Sequence, residues 1–275
     1  MQKFLQHVDL DYLWMPDNGP KPLGINDAGV SATFAVPFFY NTQTPLLITP
    51  GFAFHFWDGP ESIAPMPADL PPRTYDAYLD AAWNPQPTPW LGGELSFRIG
   101  VYSDFSKVVT RSLRFTGTGL AVLTFSPSFK IKAGVEYLDR NLVKLLPAGG
   151  VVWMPNPDIR FDILFPNPKV TKRLTTVGCT EWWIYLRGDY GGGAWTIKRA
   201  DLGFPPVDQP AAGMIDFVDY DDLRAALGLE YLRIGGLRGF FEGGVAFERQ
   251  LRYSSQLPEV YRPTITAFLH TGVAF

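Results

Sequence analysis

Three histidines, His7, His55 and His270, carry the side chains in this sequence best suited to acid–base chemistry near neutral pH. A histidine that activates a nucleophile needs a serine beside it and a third group that orients the ring. The sequence has no Gly-x-Ser-x-Gly segment to mark such a serine. His55 and His270 fall on the polar faces of alternating segments, where ordinary polar side chains are also expected. We therefore predict that the chain is not an enzyme and assign no catalytic residue.

Two further segments resemble ligand sites only in part. Four carboxylates lie close together at Asp216, Asp219, Asp221 and Asp222. Such groups can hold Ca²⁺, but their spacing matches no EF-hand loop, and a solvated entry to a strand is the favoured interpretation. The stretch "GDYGGGAW" lacks the Gly-Lys-Ser/Thr ending of a phosphate loop and is interpreted as a tight turn. With Cys179 as the single cysteine, no disulfide, metal or cofactor is predicted.

A larger set of charged residues shares one property, a place on the polar face of an alternating segment. In "GELSFRIGVYS", for example, Glu94 and Arg98 point away from Phe97, because successive side chains of a strand face opposite sides. If the polar faces line an interior, twelve charged residues line it: Asp76, Asp80, Glu94, Arg98, Lys130, Lys132, Glu136, Arg224, Glu230, Arg238, Glu242 and Glu248. Opposed charges of this kind set the field of a pore constriction, and they can equally cross-link and close the interior.

The elements that position these charges are strands, because alternation recurs along the whole chain and helical periodicity is almost absent. We count roughly fourteen segments of about 8–13 residues, a length that suits tilted strands crossing a bilayer. Residues 155–200 are the least clear, so twelve strands remain an alternative. Short and long breaker segments alternate, which is typical of a barrel with short turns at one end and long loops at the other. The sequence predicts one domain over residues 1–275.

Composition narrows the function classes. Hydrophobic residues make up 46% and charged residues 19% of the chain, and the net charge is -3, so no nucleic-acid partner is expected. No apolar run is long enough for a transmembrane helix, which needs about 18 residues. The start "MQKFLQHVDLDYLW" has no signal-peptide pattern. Two interpretations follow, a cytoplasmic protein or the mature part of an exported one.

Alternation alone allows a soluble barrel or sandwich with an apolar interior, or a membrane barrel with an apolar outer face. Aromatic residues at strand ends favour the membrane barrel, as an interfacial girdle made of Trp14, Tyr40, Trp57, Trp83, Trp90, Trp153 and Tyr253. The terminal Phe275 resembles the recognition signal at the C-terminus of outer-membrane barrels. We predict a closed antiparallel transmembrane β-barrel in the outer membrane, with short periplasmic turns and long external loops.

Several stretches together resemble a group of uncharacterised barrel proteins of planctomycete-type bacteria, known only as a domain of unknown function. They are "PGFAFHFWDGP", "DLPPRTYDAYLDAAWNP", "YLDRNLVKLLPAGGVVWMPNPDIRFDILFPNP", "GGGAWTIKRAD", "DYDDLRAALGLEY" and "EGGVAFERQLRY". The resemblance runs from about Asp9 to Phe275. It implies an outer-membrane barrel, and it implies no catalytic residue.

These observations lead to a porin-like interpretation, the passage of small solutes through a charged lumen. The alternative is a closed structural barrel that anchors partners through its external loops, and a third class is a lipid-facing hydrolase or lipid transporter. Loops over residues 58–73 or 201–220 are candidates to plug the lumen. The expected partners are outer-membrane lipids, the barrel assembly machinery and small solutes, and a monomer is favoured.

Overall fold

The structure is a computed structural model that describes residues 4–38, 41–60, 68–141, 143–200, 213–233, 235–256, 258 and 260–275. Within these residues the chain is built from strands and one short 3-10 helix, Thr110–Ser112. The strands are β1 (Leu5–Met15), β2 (Gly24–Phe38), β3 (Asn41–Asp58), β4 (Arg73–Trp83), β5 (Leu91–Ser103), β6 (Leu113–Ser126), β7 (Phe129–Tyr137), β8 (Leu145–Asn156), β9 (Ile159–Phe165), β10 (Lys169–Val177), β11 (Thr180–Lys198), β12 (Ile215–Arg233), β13 (Arg238–Tyr253), β14 (Val260–Tyr261) and β15 (Thr266–Ala274). No helix in the described ranges has the length and apolar character needed to cross a membrane.

The strands close into an antiparallel β-barrel. Each strand from β1 to β13 pairs with the next one along the chain, and β15 pairs with both β13 and β1. The two-residue strand β14 only extends the edge of β13. The described part of the barrel therefore has fourteen long strands, as predicted, and the alternative of twelve is wrong. The unclear stretch 155–200 forms β9, β10 and most of β11.

The two ends of the barrel differ in the length of their connections. The end that holds both termini, here called the turn end, has mostly short links, residues 39–40, 127–128, 157–158, 178–179 and 234–237. The opposite end, the loop end, has the longest ones, residues 59–72, 104–112, 199–214 and 254–265. There are two exceptions: residues 84–90 form a longer link at the turn end, and residues 166–168 form a short link at the loop end. The final residue, Phe275, pairs with Val8 through two backbone hydrogen bonds of 2.9 and 3.1 Å.

The outer face of the barrel is apolar. Every long strand places at least one large apolar side chain in an exposed position: Leu10, Val30, Phe54, Leu79, Phe97, Phe115, Val135, Trp153, Ile163, Leu174, Leu186, Leu227, Phe241 and Leu269. The neighbours of these residues point inward, and Arg98, which follows Phe97, pairs with Asp80. A continuous belt of this kind suits a hydrocarbon environment, where a closed barrel also satisfies every backbone group.

The loop end is closed by a bend in the longest strands. β11 pairs with β10 only as far as Arg187, and beyond that point it leans across the barrel until Thr196 pairs with Ser103 of β5. Gly192 permits the bend, because its φ of +107° and the Tyr220 carbonyl oxygen, 1.9 Å from where a Cβ would lie, leave no room for a side chain. We call the bent ends of β11 (residues 192–198) and β12 (residues 215–221) the cap.

The cap encloses an apolar core, so the inward face is not polar throughout. The buried residues of this core include Leu13, Met15, Leu23, Ile25, Trp57, Tyr102, Trp195, Ile197, Val218, Tyr220, Leu251, Tyr253 and Tyr261. Two residues assigned to the girdle belong to it, since Trp57 is 7% and Tyr253 is 3% exposed. Their assignment to the outer girdle is therefore wrong. The core forms because β11 meets β5 directly at the loop end, so β6 to β10 do not take part in the ring of strands there. This ring is narrower than the rest of the barrel, and side chains can fill it.

A β-bulge places Tyr253 and Glu248 on the faces opposite to those that the alternation predicts. The pairing of β12 with β13 shifts between Asp221 and Leu223, and Glu248 has a φ of 51°. One extra residue reverses the inward and outward positions of every residue beyond it. Glu248 is consequently exposed rather than lumen-lining, while Arg249 and Leu251 turn inward.

The remaining girdle residues lie on the outer face or outside the described ranges. Trp14, at the loop end, and Trp90 and Trp153, at the turn end, have exposed rings. Trp83 lies on the same face of β4 as the exposed Leu79, and its ring packs edge-on against Phe38. Tyr40 lies outside the described residues. The contact of these rings with a membrane stays a prediction.

Candidate functional site

A cavity of about 580 Å³ lies inside the barrel beneath the cap. Its wall is built from inward residues of consecutive strands, because the two-residue period places every second side chain on the inner face. Five of the predicted lumen residues line it, namely Asp76, Asp80, Arg98, Glu136 and Arg224. The hydroxyl-bearing residues Thr33, Thr49, Ser96, Thr116 and Thr118 fill much of the wall between them. The aromatic rings of Trp57, Tyr102 and Trp195 lie toward the cap.

A second cavity of about 460 Å³ lies near the turn end. It is lined by Glu230 and Arg238, two more of the predicted residues, together with Asp9, Asp11 and His270. Arg238 Nη2 lies 3.5 Å from Asp9 Oδ1, and Glu230 accepts a hydrogen bond of 3.0 Å from Lys169. Seven of the twelve predicted residues therefore line one of these two cavities, and Glu94, Lys130, Lys132, Glu242 and Glu248 line neither.

Many charges of the interior form ion pairs with residues of the same strand or of strands one or two positions away around the wall. Arg98 donates two hydrogen bonds of 2.7 Å to Asp80, its direct partner across β4 and β5. Lys132 donates to both oxygens of Glu94, at 2.6 and 2.8 Å. Lys130 shares the inward face of β7 with Lys132. Because each of these pairs joins opposite charges, the wall is cross-linked rather than divided into separate positive and negative ladders.

Glu242 is the centre of the most connected cluster. Its carboxylate is 1% exposed and accepts hydrogen bonds from Tyr185 Oη at 2.7 Å and from Arg187 Nε and Nη2 at 2.8 and 2.6 Å. His270 Nδ1 lies 2.9 Å from the same carboxylate. The cluster ties β11, β13 and β15 together across the inner wall. A carboxylate with this many partners is a structural tie, and it leaves no free lone pair suited to general-base chemistry.

The histidines do not form a hydrolase site with the described residues. His55 lies between two carboxylates, with Nδ1 2.7 Å from Asp27 Oδ1 and Nε2 3.1 Å from Asp76 Oδ2. His7 Nε2 lies 3.2 Å from Asp9. Among the described residues, no serine hydroxyl is a hydrogen-bond partner of any of the three rings. The nucleophile that the third function class requires is therefore not found beside them.

The acidic cluster of β12 is paired within the protein, which corrects its interpretation as a solvated strand entry. Arg140 binds Asp221, and its Nη1 and Nη2 also donate to the carbonyl oxygens of Gly191 and Gly192 at 3.1 Å. Asp219 accepts from Asn141, and Asp222 accepts from Arg224. No group of three or more metal-ligating side chains occurs within the described ranges.

Asp216 joins the cap to the link that follows β13. It accepts hydrogen bonds of 2.7 Å from Arg199 Nη1 and 2.8 Å from Ser254 Oγ, and it also binds Ser255. Burial by itself raises the pKa of this carboxyl group, but the donors from Ser255, Ser254 and Arg199 outweigh it and lower the pKa below its ordinary value of 3.8.

The sequence predicts a tight turn for the glycine-rich segment "GDYGGGAW", and this prediction is wrong. The segment is the bent middle of β11. Trp195 at its end packs against Trp57, with ring centroids 5.1 Å apart, and donates from Nε1 to Asp76 at 2.7 Å. Sequence reasoning also missed Arg114 and Arg140, which line the cavity. Three consecutive glycines in an otherwise aromatic strand were the available signal for a bend.

Comparison with known proteins adds a likeness of architecture. No family model and no curated protein matches the chain. Among solved structures, it is similar to the KdgM porin in complex with disordered oligogalacturonate, at 8% identity and a TM-score of 0.39 over 98% of each chain. It is also similar to a bacterial polysaccharide outer membrane secretin, at 10% identity and a TM-score of 0.40 over 100% of this chain and 99% of the other. The Acinetobacter baumannii outer membrane protein Omp33 matches at 9% identity and a TM-score of 0.31 over 100% of both chains. Scores of this size give no basis for transferring a ligand or an activity.

Proposed function

We propose that this chain is an outer-membrane barrel that passes small solutes through its charged interior. The observation that supports the proposal is that, below the cap, the outer face of the barrel is apolar and the inner face is polar, the opposite of a water-soluble protein. Every long strand turns large apolar side chains outward, while charged and hydroxyl-bearing side chains surround an inner cavity of about 580 Å³. A wall of this kind suits lipid outside and water inside.

The proposal includes an orientation and two kinds of partner. The short links of the turn end would face the periplasm, and the long links of the loop end would face outward. Outer-membrane lipids would surround the apolar belt. The barrel assembly machinery would recognise the terminal strand, in which Phe275 is exposed and extends the pairing of β15 with β1.

The experiment is the conductance of the refolded protein in a planar lipid bilayer. Stable steps whose ion preference depends on salt would support solute passage. If protein that migrates as a folded barrel inserts and remains silent, solute passage is not its function under these conditions. The closed loop end makes small steps the expected result, because the cap narrows that mouth.

The cap also favours a second candidate, a structural barrel that acts through its external loops. Its core is packed with large side chains, and Arg199 binds both Asp216 of the cap and Asp69 of the link before β4. A rigid external surface of this kind suits attachment of other envelope components. Silence in the bilayer, together with retention of a partner by the intact barrel and its loss when the cap is unfolded, would support this candidate over passage.

A further inference from the structure

Arg114 is a buried cation of the main cavity whose hydrogen-bonding groups are only partly used within the described part of the chain. It begins the inner face of β6, lines the cavity and is 8% exposed. Its Nη1 donates to the backbone oxygen of Asp139 at 2.7 Å. The Asp139 carboxylate is occupied by Phe115 N–H at 3.2 Å and by Tyr137 Oη at 3.1 Å. Arg114 forms no ion pair with a described residue, and its buried Nε has no hydrogen-bond partner there.

The free part of Arg114 is the edge formed by Nε and Nη2. Three other arginines of the same wall use this edge to bind a carboxylate with two parallel hydrogen bonds. Arg98 binds Asp80 at 2.7 and 2.7 Å, Arg187 binds Glu242 at 2.8 and 2.6 Å, and Arg160 binds Asp162 at 2.6 and 2.9 Å. This two-donor edge matches the spacing of carboxylate oxygens.

Among the described residues, four carboxylates line the cavity: Asp27, Asp76 and Asp80 are engaged by other groups, and Glu136 forms no ion pair with Arg114. Asp80 is held by Arg98, and Asp76 accepts from Trp195 and faces His55. The other cavity arginines, Arg140 and Arg224, are paired with Asp221 and Asp222. Asp139 and Asp219 act on the Arg114 guanidinium electrostatically, but neither forms an ion pair with it, so its buried Nε edge remains open to the carboxylate of a ligand.

We propose that the main cavity binds a small solute through a carboxylate seated on the Nε and Nη2 edge of Arg114. The inference rests on the proposed function and names the solute class for the same cavity. Thr116 and Thr118, on the same strand face as Arg114, offer hydroxyl groups to the body of the solute, and the rings of Trp57 and Tyr102 offer apolar contact. The cavity volume of about 580 Å³ lies within the range of small-molecule sites.

The test is titration calorimetry of the folded protein in detergent, with gluconate as the probe and glucose as its uncharged counterpart. We expect saturable binding of gluconate and at least tenfold weaker binding of glucose, since only the acid can occupy both donors of Arg114. Arg114→Gln should weaken gluconate binding at least tenfold. Arg262→Gln, which removes the same charge from an exposed position outside the cavity, should leave it unchanged.

Arg114→Lys separates shape from charge, because lysine keeps the charge and lacks the planar edge. Its affinity for gluconate should fall below that of the native protein. Equal affinity in the native protein and Arg114→Gln, equal affinity for gluconate and glucose, or binding of inorganic phosphate without binding of gluconate would each overturn the inference. The comparison of the three probes on native protein remains decisive if a variant fails to fold. Conductance without gluconate binding would contradict this inference and leave the proposed solute passage standing. Gluconate binding without conductance would support this inference and contradict solute passage.

Discussion

The backbone of Thr196 in β11 pairs with that of Ser103 in β5, although β6 to β10 separate these two strands around the wall. The contact continues through Asp104, whose N–H donates to the Thr196 oxygen at 3.1 Å and whose carboxylate accepts from the Lys198 N–H at 2.9 Å. One barrel thus has two circumferences, a wide one in the apolar belt and a narrow one filled by the cap core.

Locking this contact should reduce solute passage. Ser103→Cys and Thr196→Cys, made together in a Cys179→Ser background, place two thiols on backbone partners, within the usual separation for a disulfide. If solutes leave through the loop end, oxidation should lower the conductance and reductant should restore it. The Cys179→Ser protein is the control. A conductance that does not respond to reductant in the double variant would mean that the path bypasses the cap.

A charge on the outer face should destabilise the barrel in proportion to its depth. Phe97 lies near the middle of β5 and is 50% exposed, so Phe97→Arg should cost about 2–4 kcal/mol of unfolding free energy in lipid vesicles. Trp90→Arg, at the turn end, should cost only about 0–1 kcal/mol. Urea unfolding followed by tryptophan fluorescence measures both. Similar costs at the two positions would contradict the placement of the belt.

The bulge at Glu248 should be essential, whereas its side chain should not. Deleting Glu248 reverses the faces of Arg249, Leu251 and Tyr253, so we expect the deletion variant to fail to fold. Glu248→Gly keeps the residue count and relieves the positive φ, and it should be at least as stable as the native protein. Migration on gels before and after heating distinguishes folded from unfolded barrels. A folded deletion variant would show that the register is not set here.

Removing the charge of Glu242 should destabilise the inner wall strongly. Glu242→Gln removes the two-donor partner of Arg187 and leaves it, among the described residues, only the longer contact of 3.4 Å with Asp189, and breaking a buried pair costs about 3–5 kcal/mol. Asp158→Asn, which affects an exposed pair with Arg173, is the matched control and should have a much smaller effect. Urea unfolding of both variants provides the comparison. Equal losses would show that the Glu242 cluster is not a structural tie.

The cap should loosen in acid because of Asp216. The pKa of this group is lowered in the folded protein, so its contribution to stability is complete above about pH 3.8 and is lost as the pH falls through the lower folded value. Asp216→Asn should therefore be less stable than the native protein at neutral pH, and the difference should shrink below pH 3.8. Fluorescence of the buried Trp57 and Trp195 reports the change. A difference that is constant with pH would contradict this account.

Alternation in the sequence predicts about fourteen strands, with twelve left open because residues 155–200 are unclear, and it predicts most of their outer faces, because side-chain direction in a regular strand depends on position parity. The inward placement of Asp80, Arg98 and Glu242 follows from the same parity. A sequence of this kind also predicts which end carries the long links, since turn residues and their spacing are local features.

The bulge in β13, the apolar cap and the open edge of Arg114 depend on tertiary structure and could not be predicted from the alternation of residues. The extra residue at Glu248 reverses which residues of β13 point inward, and no residue type in this strand signals it. Tyr253 therefore lies in a core rather than on the outer surface. The apolar cap exists because β11 reaches β5, a contact between residues almost a hundred positions apart. The open edge of Arg114 is likewise a property of the closed wall, because only closure determines which neighbouring carboxylates are already occupied.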